Sequence, residues 1–219
     1  MVNESKINTS QTATTFSESS TFCFFIQNLI TTTDGNYETT GDVSLDDNWN
    51  IQKGKTLTVK EGNTLIIEKK LNVNGKIIVE NNGTLNNLSA NSLNINKTGA
   101  VIVENGATLN NGNGKDSNGS LGNRGSLVVY GTMNNNFGSL LNNISGEVSY
   151  SGTIKNNGSI SKENNSYGII FNNGTINNKN LIKNEGTINN TGEICEFKGS
   201  EINPLGTIKG NQPVICEES

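Results

Sequence analysis

The segment Gly174 to Ile194, GTINNKNLIKNEGTINNTGEI, places branched apolar residues at Ile176, Ile182, Ile188 and Ile194, with almost only Gly, Asn, Thr, Lys and Glu between them. One apolar residue in every six cannot enclose a globular core. Such a chain gains order by stacking copies of itself, each repeat burying its apolar residue against the next. Upstream the chain repeats at a longer period. Trp49-Asn-Ile51, Leu71-Asn-Val73 and Leu93-Asn-Ile95 follow one another at intervals of 22 residues. Ile77-Ile-Val79 returns as Val101-Ile-Val103, and Gly83-Thr-Leu85-Asn-Asn returns as Ala107-Thr-Leu109-Asn-Asn, both 24 residues on. These alternations of period two are short strands with one face inward.

The pattern predicts an all-β, single-stranded parallel β-helix over residues 49–219, with about eight coils of roughly 21 residues and three short strands in each. Further core copies are Leu121, Leu127, Val129 and Met133, then Leu140, Val148 and Ile154, then Ile160, Ile169 to Phe171 and Ile176, with Ile202, Ile208 and Ile215 closing the series. The strict six-residue spacing after Ile176 suits a left-handed solenoid, whereas the variable period elsewhere suits a right-handed one, which is preferred. Asn74-Gly75, Asn82-Gly83, Asn157-Gly158 and Asn173-Gly174 read as corners that tolerate positive φ. Asn side chains at equivalent places in adjacent coils can stack their amides in ladders. On this reading Ile176 is a core position and Asn178 a tolerant one. Only 2 Pro interrupt the chain, as strands paired on both edges require.

Residues 1–18 form a polar arm, and residues 19–48 read as a helical or irregular cap over the first coil. Phe22, Phe25, Ile26, Leu29 and Ile30 fall on one face of a helix, with Ser19 or Ser20 as its N-cap and Thr31 to Gly35 ending it. The FCFFI stretch within it reads alternatively as a strand. These five apolar residues are the candidates for docking a partner.

Roughly one residue in five is Asn and 32% are hydrophobic, a balance that suggests disorder until the regular recurrence of the apolar residues is counted. Net charge is -4, and the 16 Lys and Arg are scattered singly, which argues against a nucleic-acid groove. No apolar run is long enough for a membrane span, and the polar N-terminus does not read as a standard signal peptide. His is absent, which removes His-based triads and His metal sites. Of 3 Cys, Cys195 and Cys216 are 21 residues apart, a spacing that places them on neighbouring coils within reach of a disulfide; a reduced stacked pair is the alternative.

No catalytic constellation, cofactor site or metal site emerges. Asp42, Asp46 and Asp47 cluster before the first coil, as a cation site or, more simply, as turn and cap residues. Glu80 and Glu104 occupy one place in adjacent coils, as stacked carboxylates or a solvated edge. Arg124 is the only Arg. Thr64, Thr84, Thr108, Thr132, Thr153 and Thr175 recur once per coil as an outward column, without the second Thr column that ice binding usually needs. Tyr130, Tyr150 and Tyr167 are candidate glycan-stacking residues, the first two as a stacked pair. The Asn-x-Ser/Thr triplets arise from the repeat itself.

The repeat quoted as Gly174-Thr-Ile-Asn-Asn and Gly186-Thr-Ile-Asn-Asn resembles the Asn/Gly-rich β-helix proteins of large DNA viruses. It is also similar to the repeats of haemagglutinin-type adhesins and phage-fibre shafts. The resemblance spans about residues 49–210. It implies a non-enzymatic structural protein: a minor capsid, fibre or surface component of a virus particle, held through its N-terminal arm by other capsid proteins or by self-association. An adhesive or carbohydrate-binding module at a cell surface is the alternative it implies. A polysaccharide-cleaving enzyme would need acids converging in one groove.

Overall fold

The computed structural model describes residues 26–90, 93–113, 119–136, 139–143, 147–150, 153–156, 159–161, 169–183, 187–203 and 206–217. They form a parallel β-solenoid with no helix. The chain visits three sheets in rotation. One sheet has ten strands, from Leu29–Thr31 to Thr207–Gly210. A second has nine, from Val43–Leu45 to Val214–Ile215, and the third has eight, from Trp49–Ile51 to Glu201–Asn203. Every strand pair is parallel except the first, so the strand-to-strand hydrogen bonding after the opening hairpin runs between successive turns.

The register follows the repeats. Trp49 lies opposite Leu71 and Leu71 opposite Leu93. Ile77 is opposite Val101, and Leu85 opposite Leu109. Ile176, Ile182, Ile188 and Ile194 fall one per strand around a turn, and Ile194 returns above Ile176. Turn length therefore varies: amides stacked on one another are 24 residues apart at Asn86 and Asn110 but 18 apart at Asn172 and Asn190. The core is a column of Leu, Ile and Val from each sheet, from Val43 to Ile194, almost all at 0–2% exposure. Each such side chain contributes about 1.5–3 kcal/mol by leaving water.

Several placements differ from the sequence expectation. Parallel pairing already begins at Tyr37 and Val43, inside the segment expected to be a cap. Leu29 and Ile30, the last residues of the expected helical stripe, lie in a strand; Phe22 and Phe25 fall outside the described residues. Asn28 is left-handed (φ 61°), which halts a helix at that residue, and the β-branched Thr31 to Thr33 favour the hairpin that follows. Leu141, not Leu140, continues the inward column, since Leu121 pairs with Leu141. The register places Ile170 opposite Val148. Ile215 does not close the core: it is 87% exposed and lies opposite Glu196.

The corners are built differently from the expectation too. Asn82 is itself left-handed (φ 58°), whereas Gly75 is not among the positive-φ residues. A Cβ at Gly75 would meet the carbonyl oxygens of Lys55 and Gln52, so glycine is needed there for close approach to the preceding turn. Asn157-Gly158 lies outside the described residues.

Three kinds of Asn ladder run along the axis. The second Asn of each Thr-Leu-Asn-Asn motif points inward: Asn87, Asn111 and Asn135 are 0% exposed. Asn87 Nδ2 donates to Asn111 Oδ1 at 2.7 Å, and Asn111 Nδ2 to Asn135 Oδ1 at 2.8 Å. Asn172 donates likewise to Asn190 at 2.7 Å. Asn178 is buried as well and donates to the Glu201 carbonyl, so it is a core position rather than a tolerant one. The first Asn of each motif points outward, and Asn134 donates to Asn110 (2.7 Å), which donates to Asn86 (2.8 Å). A corner ladder links Asn96, Asn74 and Asn50 at 2.9 and 2.7 Å.

Candidate functional site

The described residues gather reactive or binding groups at three places: the first turn, one charged corner and the last turn. At the first turn the strand Leu29–Thr31 pairs antiparallel with Tyr37–Thr39, Leu29 opposite Thr39, and forms the edge of its sheet. Thr32 N donates to Asn36 O at 2.8 Å to close the hairpin. The Asp34 carboxylate accepts from the Thr32 hydroxyl and from Asn36 Nδ2, and the Thr32 bond above all holds its pKa below the ordinary value. Ile26 and Leu29 pack against the core, while Ile30 is 46% exposed. Of the docking candidates within the described residues, two thus anchor the hairpin and one faces solvent.

At the corners of the first turn, side-chain oxygens accept the backbone N–H groups of the second turn. Asn36 Oδ1 accepts from Thr56 N (2.9 Å), Thr39 Oγ1 from Lys60 N (2.9 Å), Asp42 Oδ1 from Thr64 N (2.7 Å) and Asn48 Oδ1 from Lys70 N (3.2 Å). These oxygens take places where the next turn uses backbone carbonyls, as in Lys76 N to Lys55 O, Glu80 N to Val59 O and Thr84 N to Asn63 O. Asp42, Asp46 and Asp47, with Ser44 and Ile26, line a shallow cleft of about 510 Å³. Of the three, Asp42 has a carboxylate that accepts a backbone N–H, that of Thr64, which is the turn-and-cap role expected of the trio.

At the charged corner, Lys60 Nζ lies 2.8 Å from Glu80 Oε1. That bond raises the Lys60 pKa above 10.5. Glu80 N and Glu104 N donate to Val59 O and Val79 O, so Glu80 and Glu104 do share one corner position. Tyr130 follows in the same column and is 49% exposed. Tyr150 lies opposite Val129 rather than Tyr130, so the register does not stack the two tyrosines; Tyr167 lies outside the described residues. The Thr column is in register from Thr64 to Thr175. Beside it run Ile66 and the outward Asn ladder, whose amides bond to one another along the axis.

At the last turn Cys195 and Cys216 are joined by a disulfide with Cα atoms 5.4 Å apart. They are not at equivalent positions: Cys195 lies opposite Val214, and Cys216 N donates to Glu196 O at 2.9 Å just beyond the strand. The chain beyond Ile215 carries the second sulfur to the first. A carboxylate oxygen of Glu193 and the two sulfurs lie within 4.8 Å of one another. Glu193 was not singled out by the sequence, although its place two residues before Cys195 puts it on the same face of a strand. No family model, curated protein or solved structure matches this chain.

Proposed function

We propose that this protein is a non-enzymatic structural component, a minor capsid, fibre or surface element of a particle such as a virion, that docks through its N-terminal end. The observation that carries this reading is the opening hairpin. It fastens Ile26 and Leu29 to the core and directs Ile30 outward on the edge strand of its sheet. An exposed edge with an apolar residue is a template for pairing with another chain. Behind it, stacked turns joined by Asn ladders make a stiff rod that transmits the attachment along its length. Capsid proteins or further copies of this chain are the partners this predicts.

Light scattering and negative-stain microscopy on the full chain and on a chain starting at Asn36, which lacks the edge strand Leu29–Thr31, test the proposal. A defined oligomer or particle association that is lost on truncation, and weakened by Ile30→Ser, is the expected result. Identical monomeric rods in all cases would overturn docking through this end. A second reading, glycan adhesion, is favoured by Tyr130, half exposed beside Glu104 on the corner column. It predicts retention on a glycan array that Tyr130→Ala abolishes.

A further inference from the structure

The last turn carries a ligand set that its disulfide conceals. Ile194 points into the core at 0% exposure, so its neighbours Glu193 and Cys195 leave the strand on the outer face. Cys216 reaches the same spot from the following turn, fixed by its backbone bond to Glu196 O. One carboxylate oxygen and two sulfurs within 4.8 Å of one another fit around a single ion. In a tetrahedral zinc site, metal–sulfur distances near 2.3 Å place two sulfurs about 3.8 Å apart, and a carboxylate oxygen binds at about 2.0–2.2 Å. Opening the sulfur pair to that separation needs rotation of the two Cys side chains, while the Cα atoms stay at 5.4 Å.

We propose that reduction of the Cys195–Cys216 disulfide uncovers a site for a thiophilic divalent ion of the Zn²⁺ class, ligated by both thiolates and the Glu193 carboxylate. A dithiol or phosphine reductant supplies two electrons, the S–S bond breaks, and two protons complete the thiols. The dithiol leaves as its own disulfide, or the phosphine leaves as its oxide after taking oxygen from water. Metal binding then releases the two thiol protons, and water completes the tetrahedron. The soft sulfur pair selects zinc over calcium or magnesium, which prefer oxygen. The end turn is thereby held by a covalent bond under oxidising conditions and by a metal under reducing ones. This inference is independent of the docking role proposed above.

The test uses the full chain with Cys23→Ser, which leaves Cys195 and Cys216 as its thiols. The protein is reduced with a phosphine, freed of reductant without air, and titrated with Co²⁺. The expected result is a one-to-one complex with sulfur-to-cobalt charge transfer and the intense visible bands of tetrahedral Co²⁺, bleached by Zn²⁺. The oxidised protein should show neither. Glu193→Gln, which keeps the disulfide and so folds as the parent does when oxidised, should weaken Zn²⁺ binding by at least about tenfold, the loss that removal of an outer-shell partner alone produces. Three results would each overturn the proposal: no tetrahedral spectrum after reduction although circular dichroism reports an intact fold, a spectrum that survives Cys195→Ser, or unchanged affinity in Glu193→Gln.

Discussion

Asn110 and Asn111 are adjacent residues of one type, each in a ladder of side-chain amides, yet they face opposite ways. Asn111 is 0% exposed and joins Asn87 (2.7 Å) to Asn135 (2.8 Å). Asn110 makes the same two kinds of bond, to Asn86 and from Asn134, on the outer face where water can replace either partner. In Asn111→Ala an N–H of Asn87 and the Oδ1 of Asn135 lose this partner inside the core. Each buried group so orphaned costs about 1–3 kcal/mol, and the missing amide leaves a small cavity besides. The expected loss is about 3–6 kcal/mol, a large part of the roughly 5–15 kcal/mol that holds a typical domain. Asn110→Ala should cost under about 1 kcal/mol, because its ladder partners rehydrate. Urea unfolding followed by circular dichroism reads the difference as a fall in midpoint at unchanged slope. Equal midpoints for the two variants would refute the assignment of the second Asn to the interior.

Other expectations follow from the same geometry. Asn87 Oδ1 is buried and has no partner among the described residues, and the residue beneath it in register is Ile67; Ile67→Asn should extend the ladder and cost at least about 2 kcal/mol less than Leu65→Asn, whose new amide meets only Val43 and Leu85 in its column. Gly75→Ala should destabilise by about 1–3 kcal/mol or more through collision with the Lys55 and Gln52 carbonyls, whereas Gly54→Ala, with open space around it but φ of 81°, should cost only about 1 kcal/mol. Reduction of Cys195–Cys216 without metal releases a 21-residue loop and should lower stability by about 3 kcal/mol, with increased hydrogen exchange confined to the last turns. Lys60 has a raised pKa, so its bond to Glu80 contributes fully below pH 10.5 and is lost as pH rises through the folded-state value. Lys60→Met should therefore shift the midpoint by under about 1 kcal/mol at neutral pH, and this shift should disappear in strong alkali or high salt.

The repeat period alone determined that this chain is a stack of parallel turns. Apolar residues six apart, separated by Gly and Asn, have no other way to leave water, and the 22- and 24-residue copies from Trp49 to Leu109 set the pairing partners. What the linear pattern left undecided were choices between neighbours. Leu140 and Leu141 are equally apolar, and Ile169, Ile170 and Phe171 form one apolar run; strand pairing selected Leu141 and Ile170. The inward Asn column is invisible to hydropathy, because a buried amide becomes acceptable only when the turns above and below each present another amide. The same holds at the two ends. Leu29 and Ile30 have helical spacing, but a left-handed Asn28 and a waiting strand at Tyr37–Thr39 made them an edge. Glu193 acquired two sulfurs as neighbours only when the following turn brought Cys216 to the strand holding Cys195. Periodicity reports which residues must share an environment, whereas the side on which each lies is settled by the backbone hydrogen bonds of the turn beneath it.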